Sequence, residues 1–229
     1  MKYKTKIEKL KLKKHEIKIE CLEDLNSTID ELFGRIDNGE DPTLLEDLCP
    51  YFGVFWPAAK ALCEQIEQMG ATFEGAKVLE IGCGLAAPSL LLEKFHAKVL
   101  ATDFHPEVPL FLNRNMKHNH CSRVEYLHHN WTDISPEALN ALKPYGPFDW
   151  IVGSDVLYEK HHPETLASAL AVLSGKNGRI ILSDPMRPYL QNFVDAMKER
   201  GFRYDEVFKT IDDSPTPKEV MILIMNKGV

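Results

Sequence analysis

The sequence predicts an α/β fold: a mostly parallel sheet with helices on both faces, ending in an antiparallel hairpin at one edge. Three observations predict it. From Ala76 onward, short apolar runs alternate with longer stretches of helical spacing, the pattern of a parallel sheet with crossover helices. The first run ends in a glycine turn, Gly82-Cys83-Gly84, that leads into a helix. The last two runs follow one another with only the turn-rich Asp212-Asp213-Ser214-Pro215-Thr216-Pro217 between them, which implies a hairpin.

A chain of 229 residues is long enough for one such domain with a sizeable core and an N-terminal extension. Hydrophobic content of 44% and charged content of 27% are ordinary for a soluble globular protein. No apolar run approaches the length that crosses a bilayer, so no membrane partner is expected. The start, Met1-Lys2-Tyr3-Lys4-Thr5-Lys6, is basic but lacks a following apolar segment, so it does not read as a secretory signal. Cys21, Cys49, Cys63, Cys83 and Cys121 are odd in number, widely spread and never spaced C-x-x-C. That usage fits free thiols in a reducing compartment, and a cytoplasmic location is expected. The net charge of −7 argues against a bulk electrostatic grip on nucleic acid.

The elements follow in order. Residues 4–20 alternate, with Ile7, Leu10, Leu12, Ile17 and Ile19 set among lysines, which predicts one or two strands turning at Lys13-Lys14-His15. The lysines make either a basic docking surface or, the favoured reading, a solvated edge kept soluble by charge. Leu25, Ile29, Leu32, Phe33 and Ile36 fall at helical spacing over 22–37, and Gly39 with Asp41-Pro42 ends that helix. A second short helix is expected around Leu44, Leu45 and Leu48. Pro50 to Pro57 is an aromatic loop holding Tyr51, Phe52, Phe55 and Trp56, and Pro57 opens a helix running to about Met69.

Strands are then predicted at Lys77–Ile81, Lys98–Thr102, Val124–Leu127, Phe148–Gly153, Arg179–Ser183, Phe202–Lys209 and Glu219–Met225. Helices are predicted at Ala86–Phe95, Pro106–Asn119, Pro163–Leu173 and Tyr189–Arg200. The expected division is an extension of strands plus helix over 1–49 packing on a core over 50–229.

The strongest local signal is the run from Val78 to Ala87, where a buried strand ends in G-x-G and passes into a helix. Gly82 and Gly84 allow a tight turn and close approach of a ligand to the backbone. Asp103 lies 21 residues past Gly82, at the tip of the next strand, where an acid accepts hydrogen bonds from ribose hydroxyls. With Ala87 the loop also satisfies the dinucleotide pattern G-x-G-x-x-A, so the loop by itself does not choose a cofactor. Two features point away from NAD: about 75 residues precede the strand, and Glu80 stands two residues before Gly82. An acid there suits a ligand carrying positive charge, or is a solvated strand-end carboxylate.

At this point the chain resembles the seven-β-strand (class I) methyltransferases and, within them, the small protein methyltransferases that mostly modify lysine. The resemblance covers about residues 50–225 and is carried by four segments. Pro50 to Ala59 resembles the tryptophan-containing segment ahead of the core, and Glu80-Ile81-Gly82-Cys83-Gly84 resembles motif I. Asn130-Trp131 resembles the loop beside adenine, and Ser154-Asp155-Val156-Leu157-Tyr158 resembles the D-x-x-Y signature. The resemblance implies a Rossmann-like sheet in the order 3-2-1-4-5-7-6 with strand 7 antiparallel. It also implies S-adenosyl-L-methionine as cofactor and S-adenosylhomocysteine as product, bound across the carboxyl ends of strands 1, 2 and 4.

Under that resemblance the cofactor contacts are Trp56, Glu80, Gly82, Cys83, Gly84, Asp103, Phe104, Asn130, Trp131 and Ser154. Trp56 is placed at the methionine end, where an indole face attracts a sulfonium, or else it packs against the core. Asp155 and Tyr158 are the candidate catalytic pair, orienting an acceptor amine and narrowing its channel. If their segment turns helically, the spacing of three puts both on one side. The bland reading of the pair is a capped helix start.

No metal is expected: His118, Asn119, His120 and Cys121 lack a second ligand pair at zinc spacing, and His128-His129 and His161-His162 read as loop cover. Asp184-Pro185 is a candidate border of the cleft. The segment after strand 4 lacks the paired prolines common in enzymes that methylate nucleic-acid amino groups, which argues against that substrate. The leading reading is methyl transfer to a nucleophilic nitrogen, foremost a lysine of a protein substrate. A small-molecule N- or O-methyltransferase, an NAD-binding oxidoreductase and a non-catalytic cofactor-binding module are the alternatives. Oligomeric state is left open.

Overall fold

The structure is a computed structural model and describes residues 3–42, 48–175, 177–213 and 215–228. The short helix expected over Leu44 and Leu45 lies outside the described residues. The chain opens with an antiparallel pair, β1 (Thr5–Lys11) and β2 (Glu16–Leu22), followed by α1 (Leu25–Asp37). Asp24 caps α1, its carboxylate accepting from the Ser27 N–H. After a single 3-10 turn over Pro50–Gly53, α2 (Pro57–Met69) starts on the expected proline.

The core then alternates. Its elements are β3 (Lys77–Ile81), α3 (Ala87–Lys94), β4 (Lys98–Asp103), α4 (Val108–Asn119), β5 (Glu125–His128), α5 (Pro136–Leu142) and β6 (Trp150–Ser154). They continue with α6 (His162–Leu173), β7 (Arg179–Asp184), α7 (Leu190–Glu199), β8 (Phe202–Ile211) and β9 (Lys218–Lys227). Helix α5 is an addition to the sequence reading. Its signal is Ser135-Pro136-Glu137: the Ser135 hydroxyl accepts from the Ala138 N–H, and proline sits in the first turn.

The seven-stranded sheet runs β5-β4-β3-β6-β7-β9-β8, which is 3-2-1-4-5-7-6 when its strands are counted from β3. β9 alone runs opposite to the other six strands. Helices α2, α3 and α4 pack one face around Leu62, Leu90 and Phe111. Helices α5, α6 and α7 pack the other around Leu142, Leu166 and Phe193. Strand order reverses between β3 and its neighbours β4 and β6, and a crevice opens beyond the carboxyl ends there. Register fixes what emerges into it. Ile81 lies beside Gly153, so Gly82 and Ser154 leave the sheet together, with Asp103 one strand away.

The N-terminal hairpin is part of the same core, since Ile17 and Ile19 are fully buried in it. Two asparagines of α4 mimic a neighbouring strand. Asn115 accepts from Glu20 N and Asn119 from Lys18 N, and their amides donate back to the same residues' carbonyls. That covers one edge of β2. The lysine-bearing turn is held too: the Glu67 carboxylate accepts the backbone N–H groups of Lys13, Lys14 and His15.

Candidate active site

A cavity of about 590 Å³ occupies the crevice. Its floor is the glycine turn. Gly82 and Gly84 have φ of +57° and +50°, the left-handed region. A Cβ at Gly84 would stand 3.0 Å from the Phe52 carbonyl oxygen, and one at Gly82 would stand 3.2 Å from Val156 Cγ1. Cys83 joins the floor and donates its N–H to the Thr102 carbonyl at 2.9 Å.

Asp103 stands beside this turn and ties it to the second strand. Its Oδ2 accepts from Gly84 N and its Oδ1 from His105 N, both at 2.9 Å. Burial pushes its carboxyl up, against the pull of those N–H groups. A carboxylate offers about four acceptor positions. Two are filled, so the carboxylate retains acceptor capacity toward the cavity for a diol.

Phe104 and Trp131 line the same space. Trp131 is nearly buried and meets the His162 ring edge-on at 4.7 Å. Trp56 lines the cavity from the start of α2, its indole N–H donating to the Tyr51 carbonyl at 3.0 Å. Ser154, the last residue of β6, lines it as well.

Two expected contacts are elsewhere. Glu80 is fully buried, neither facing the cavity nor solvated. Side chains alternate along a strand, so Glu80 points with Val78 toward α3, whereas Leu79 and Ile81 point to the opposite face. Its Oε2 accepts from the N–H of Ser89 at 3.0 Å and from the Ser89 hydroxyl. Its Oε1 has no hydrogen-bond partner among the described residues. Burial pushes the Glu80 carboxyl up to about 8. Asn130 is exposed and absent from the cavity wall. Its Oδ1 accepts from both the N–H and the hydroxyl of Thr132, a local turn bond of the kind asparagine favours.

Asp155 and Tyr158 both line the cavity, but by a different route from the helical turn expected of their spacing. Asp155 takes φ of +55°, and its N–H is held by the Ser183 carbonyl at 2.8 Å. Its carboxylate is gripped by a residue that the sequence reading missed. Arg187 Nε donates to Oδ1 at 2.5 Å and Nη2 to Oδ2 at 3.0 Å, a two-point fork. Arg187 reaches there because its own N–H is tied to Asp184 Oδ1 at 2.6 Å. The sequence signal was Asp184-Pro185 as a cleft border, two residues short of the side chain that enters it. Burial pushes the Tyr158 hydroxyl up to about 12, so it is a neutral phenol across the working pH range.

The histidines divide. His118 pairs with Glu20 at 3.0 Å. His162 is buried against Trp131 and Tyr158, its Nδ1 bonded to the Val156 carbonyl at 3.0 Å. Glu159, His161 and His162 place one potential ligand atom each within 4.8 Å of one another at the rim. His105 closes the far side, stacked at 4.1 Å on Phe52.

A mostly parallel sheet in this order, with a glycine turn at the end of its first strand, an acid beyond the second and a carboxylate–tyrosine pair beyond the fourth, defines the class I methyltransferase fold. The chain belongs to the lysine methyltransferase family, whose match spans residues 49–200. It is 32% identical over 151 residues to the histone-arginine methyltransferase METTL23 of Rattus norvegicus, covering 62% of this chain and 65% of that one. It is 30% identical to the protein N-lysine methyltransferase METTL21A of Xenopus tropicalis, covering 63% and 66%. The electron transfer flavoprotein beta subunit lysine methyltransferase of Mus musculus is 29% identical over 61% of this chain and 52% of its own. The matches thus span about half to two thirds of these relatives' length.

Among solved structures, a putative RNA methyltransferase from Pyrococcus horikoshii superposes with a TM-score of 0.58 at 16% identity, covering 75% of this chain and 82% of that one. The magnesium protoporphyrin IX methyltransferase of Synechocystis, solved with bound S-adenosylhomocysteine, gives 0.54 at 15%, covering 87% and 95%. At such identities the likeness is one of fold.

Proposed function

We propose that this chain transfers a methyl group from S-adenosyl-L-methionine to a side-chain nitrogen of a protein, lysine foremost. The observation that carries the reading is that the glycine turn, Asp103 and the Asp155–Tyr158 pair, distant in sequence, line one cavity. When bound, S-adenosyl-L-methionine supplies an already activated methyl group and leaves as S-adenosylhomocysteine.

The protein's own work is to bind, orient and exclude water. Asp103 accepts the ribose hydroxyls with its free acceptor positions. Gly82 and Gly84 let the ligand approach the backbone, where a Cβ would collide with Val156 or Phe52. Phe104 and Trp131 flank the base, and Trp56 presents an indole to the positive charge. Asp155 and Tyr158 orient the acceptor. Residues 50–229 form the transfer unit in this reading, and 1–49 buttress it through β2 and α4.

The family and the lysine methyltransferases among the relatives support lysine as acceptor. The METTL23 relatives carry the second reading, an arginine acceptor on the same site. Five free cysteines and the absence, among the described residues, of any helix long and apolar enough to cross a membrane support a cytoplasmic location. The net charge of −7 supports a protein rather than nucleic-acid substrate.

The test has two parts. S-adenosylhomocysteine raises the melting temperature and NAD does not, since only a ligand of the folded state stabilises it. Labelled methyl transfer into a cell lysate, followed by mass spectrometry, then places the label on lysine. Stabilisation by NAD alone, or label found solely in small molecules, would overturn the reading.

A further inference from the structure

We propose that Arg187 is a charge-compensating, positioning residue: by pairing with the Asp155 carboxylate it keeps the acceptor end of the cavity selective for a neutral amine over an ammonium ion. The inference rests on the methyl-transfer reading above.

An acceptor nitrogen attacks only with its lone pair free, so a lysine must first release a proton to solvent. A carboxylate beside it opposes that release, because it favours the charged form. The acceptor end is rich in such groups. Asp155 and Glu159 line the cavity from the segment after β6 and Asp103 from the end of β4, while Asp184, buried at the end of β7 outside the cavity wall, adds its charge to the field at Asp155. Arg187 is the one cationic side chain in the cavity wall among the described residues. Left alone, these acids would hold an incoming lysine as its unreactive ammonium.

The geometry fits compensation rather than a chance surface pair. The Asp155 side chain is only 7% exposed, and both of its oxygens are engaged by the guanidinium. Each partner is separately anchored, Asp155 by its N–H on the Ser183 carbonyl and Arg187 by its N–H on Asp184. The fork therefore does not depend on two long, free side chains meeting. Asp155 keeps acceptor positions outside the fork, enough to take one N–H from a neutral amine and aim it.

The test uses n-butylamine as a lysine side-chain probe, titrated by NMR into the full chain loaded with S-adenosylhomocysteine. In the unsubstituted protein, affinity expressed per total amine rises about tenfold per pH unit from 7 to 9, following the neutral fraction of an amine with pKa near 10.4. In Arg187→Gln the uncompensated carboxylate takes the ammonium form, and the rise flattens to less than twofold per unit. Arg187→Lys, which retains a cation, restores most of the slope. S-adenosylhomocysteine affinity in both variants stays within about threefold, a reading that a merely misfolded site would not give.

An unchanged slope in Arg187→Gln would overturn the inference, as would loss of S-adenosylhomocysteine binding in that variant. A flat profile in the unsubstituted protein that still binds S-adenosylhomocysteine would overturn it and leave the methyl-transfer reading standing. No binding of S-adenosylhomocysteine to the unsubstituted protein would remove both.

Discussion

Replacing Glu80 by glutamine should separate the pH dependence of this fold's stability from the chemistry of its cavity. Glu80 is fully buried, with Ser89 bonded to Oε2 and no partner for Oε1 among the described residues. Burial raises its carboxyl from 4.5 to about 8, so it is largely protonated in the folded protein at neutral pH. A carboxyl with a raised folded pKa contributes its full stability below the unfolded value and loses it as pH climbs to the folded value. Between pH 5 and pH 8 the protein should therefore lose about 3 kcal/mol through this one group. Glutamine keeps the carbonyl acceptor for Ser89 and cannot ionise. Its amide meets no partner, a cost that is the same at every pH. The difference in melting temperature, variant minus unsubstituted, should thus grow by about 6–12 °C across that interval, at about 2–4 °C per kcal/mol for a chain of this size. Thermal unfolding followed by circular dichroism at half-unit pH steps would measure it. Parallel profiles would refute the reasoning and place Glu80 in its ionised form.

Three further outcomes are expected. Gly84→Ala forces a left-handed alanine within 3.0 Å of the Phe52 carbonyl and should weaken S-adenosylhomocysteine binding by about 5–30-fold, the equivalent of about 1–2 kcal/mol, measured by calorimetry. Asp155→Asn should leave that affinity within about threefold while cutting labelled methyl transfer by about a hundredfold, because Asp155 aims the acceptor and not the cofactor. Asn115→Ala removes the side-chain bonds from Asn115 to Glu20 of β2 and to the Leu85 carbonyl, leaving those of Asn119, and should cost about 2–3 kcal/mol in urea unfolding.

Much of this protein is written in local pattern. Alternation of apolar runs with helical spacing located every strand of the sheet, because period and length report burial before any fold is known. Gly82, Gly84 and Asp103 were legible for a related reason: the backbone turn and the strand tip that they occupy are local features, and they converge wherever parallel strands pair in that order. Trp56, Trp131, Ser154, Asp155 and Tyr158 came through the resemblance, and all five line the cavity.

What only the tertiary structure decided are questions of direction and partner. Glu80 turns to α3 because it shares with Val78 the face that α3 covers, and period two assigns residues to faces without saying which element or ligand each face meets. Asn130 spends its oxygen on Thr132, a bond two residues away that competes with any ligand. Arg187 lies 32 positions from Asp155, and its reach depends on a loop pinned by Asp184. Such a contact has no period or motif to announce it. The charge that a cavity presents is a sum over side chains brought from separate strand ends, and that sum exists only once the sheet has assembled.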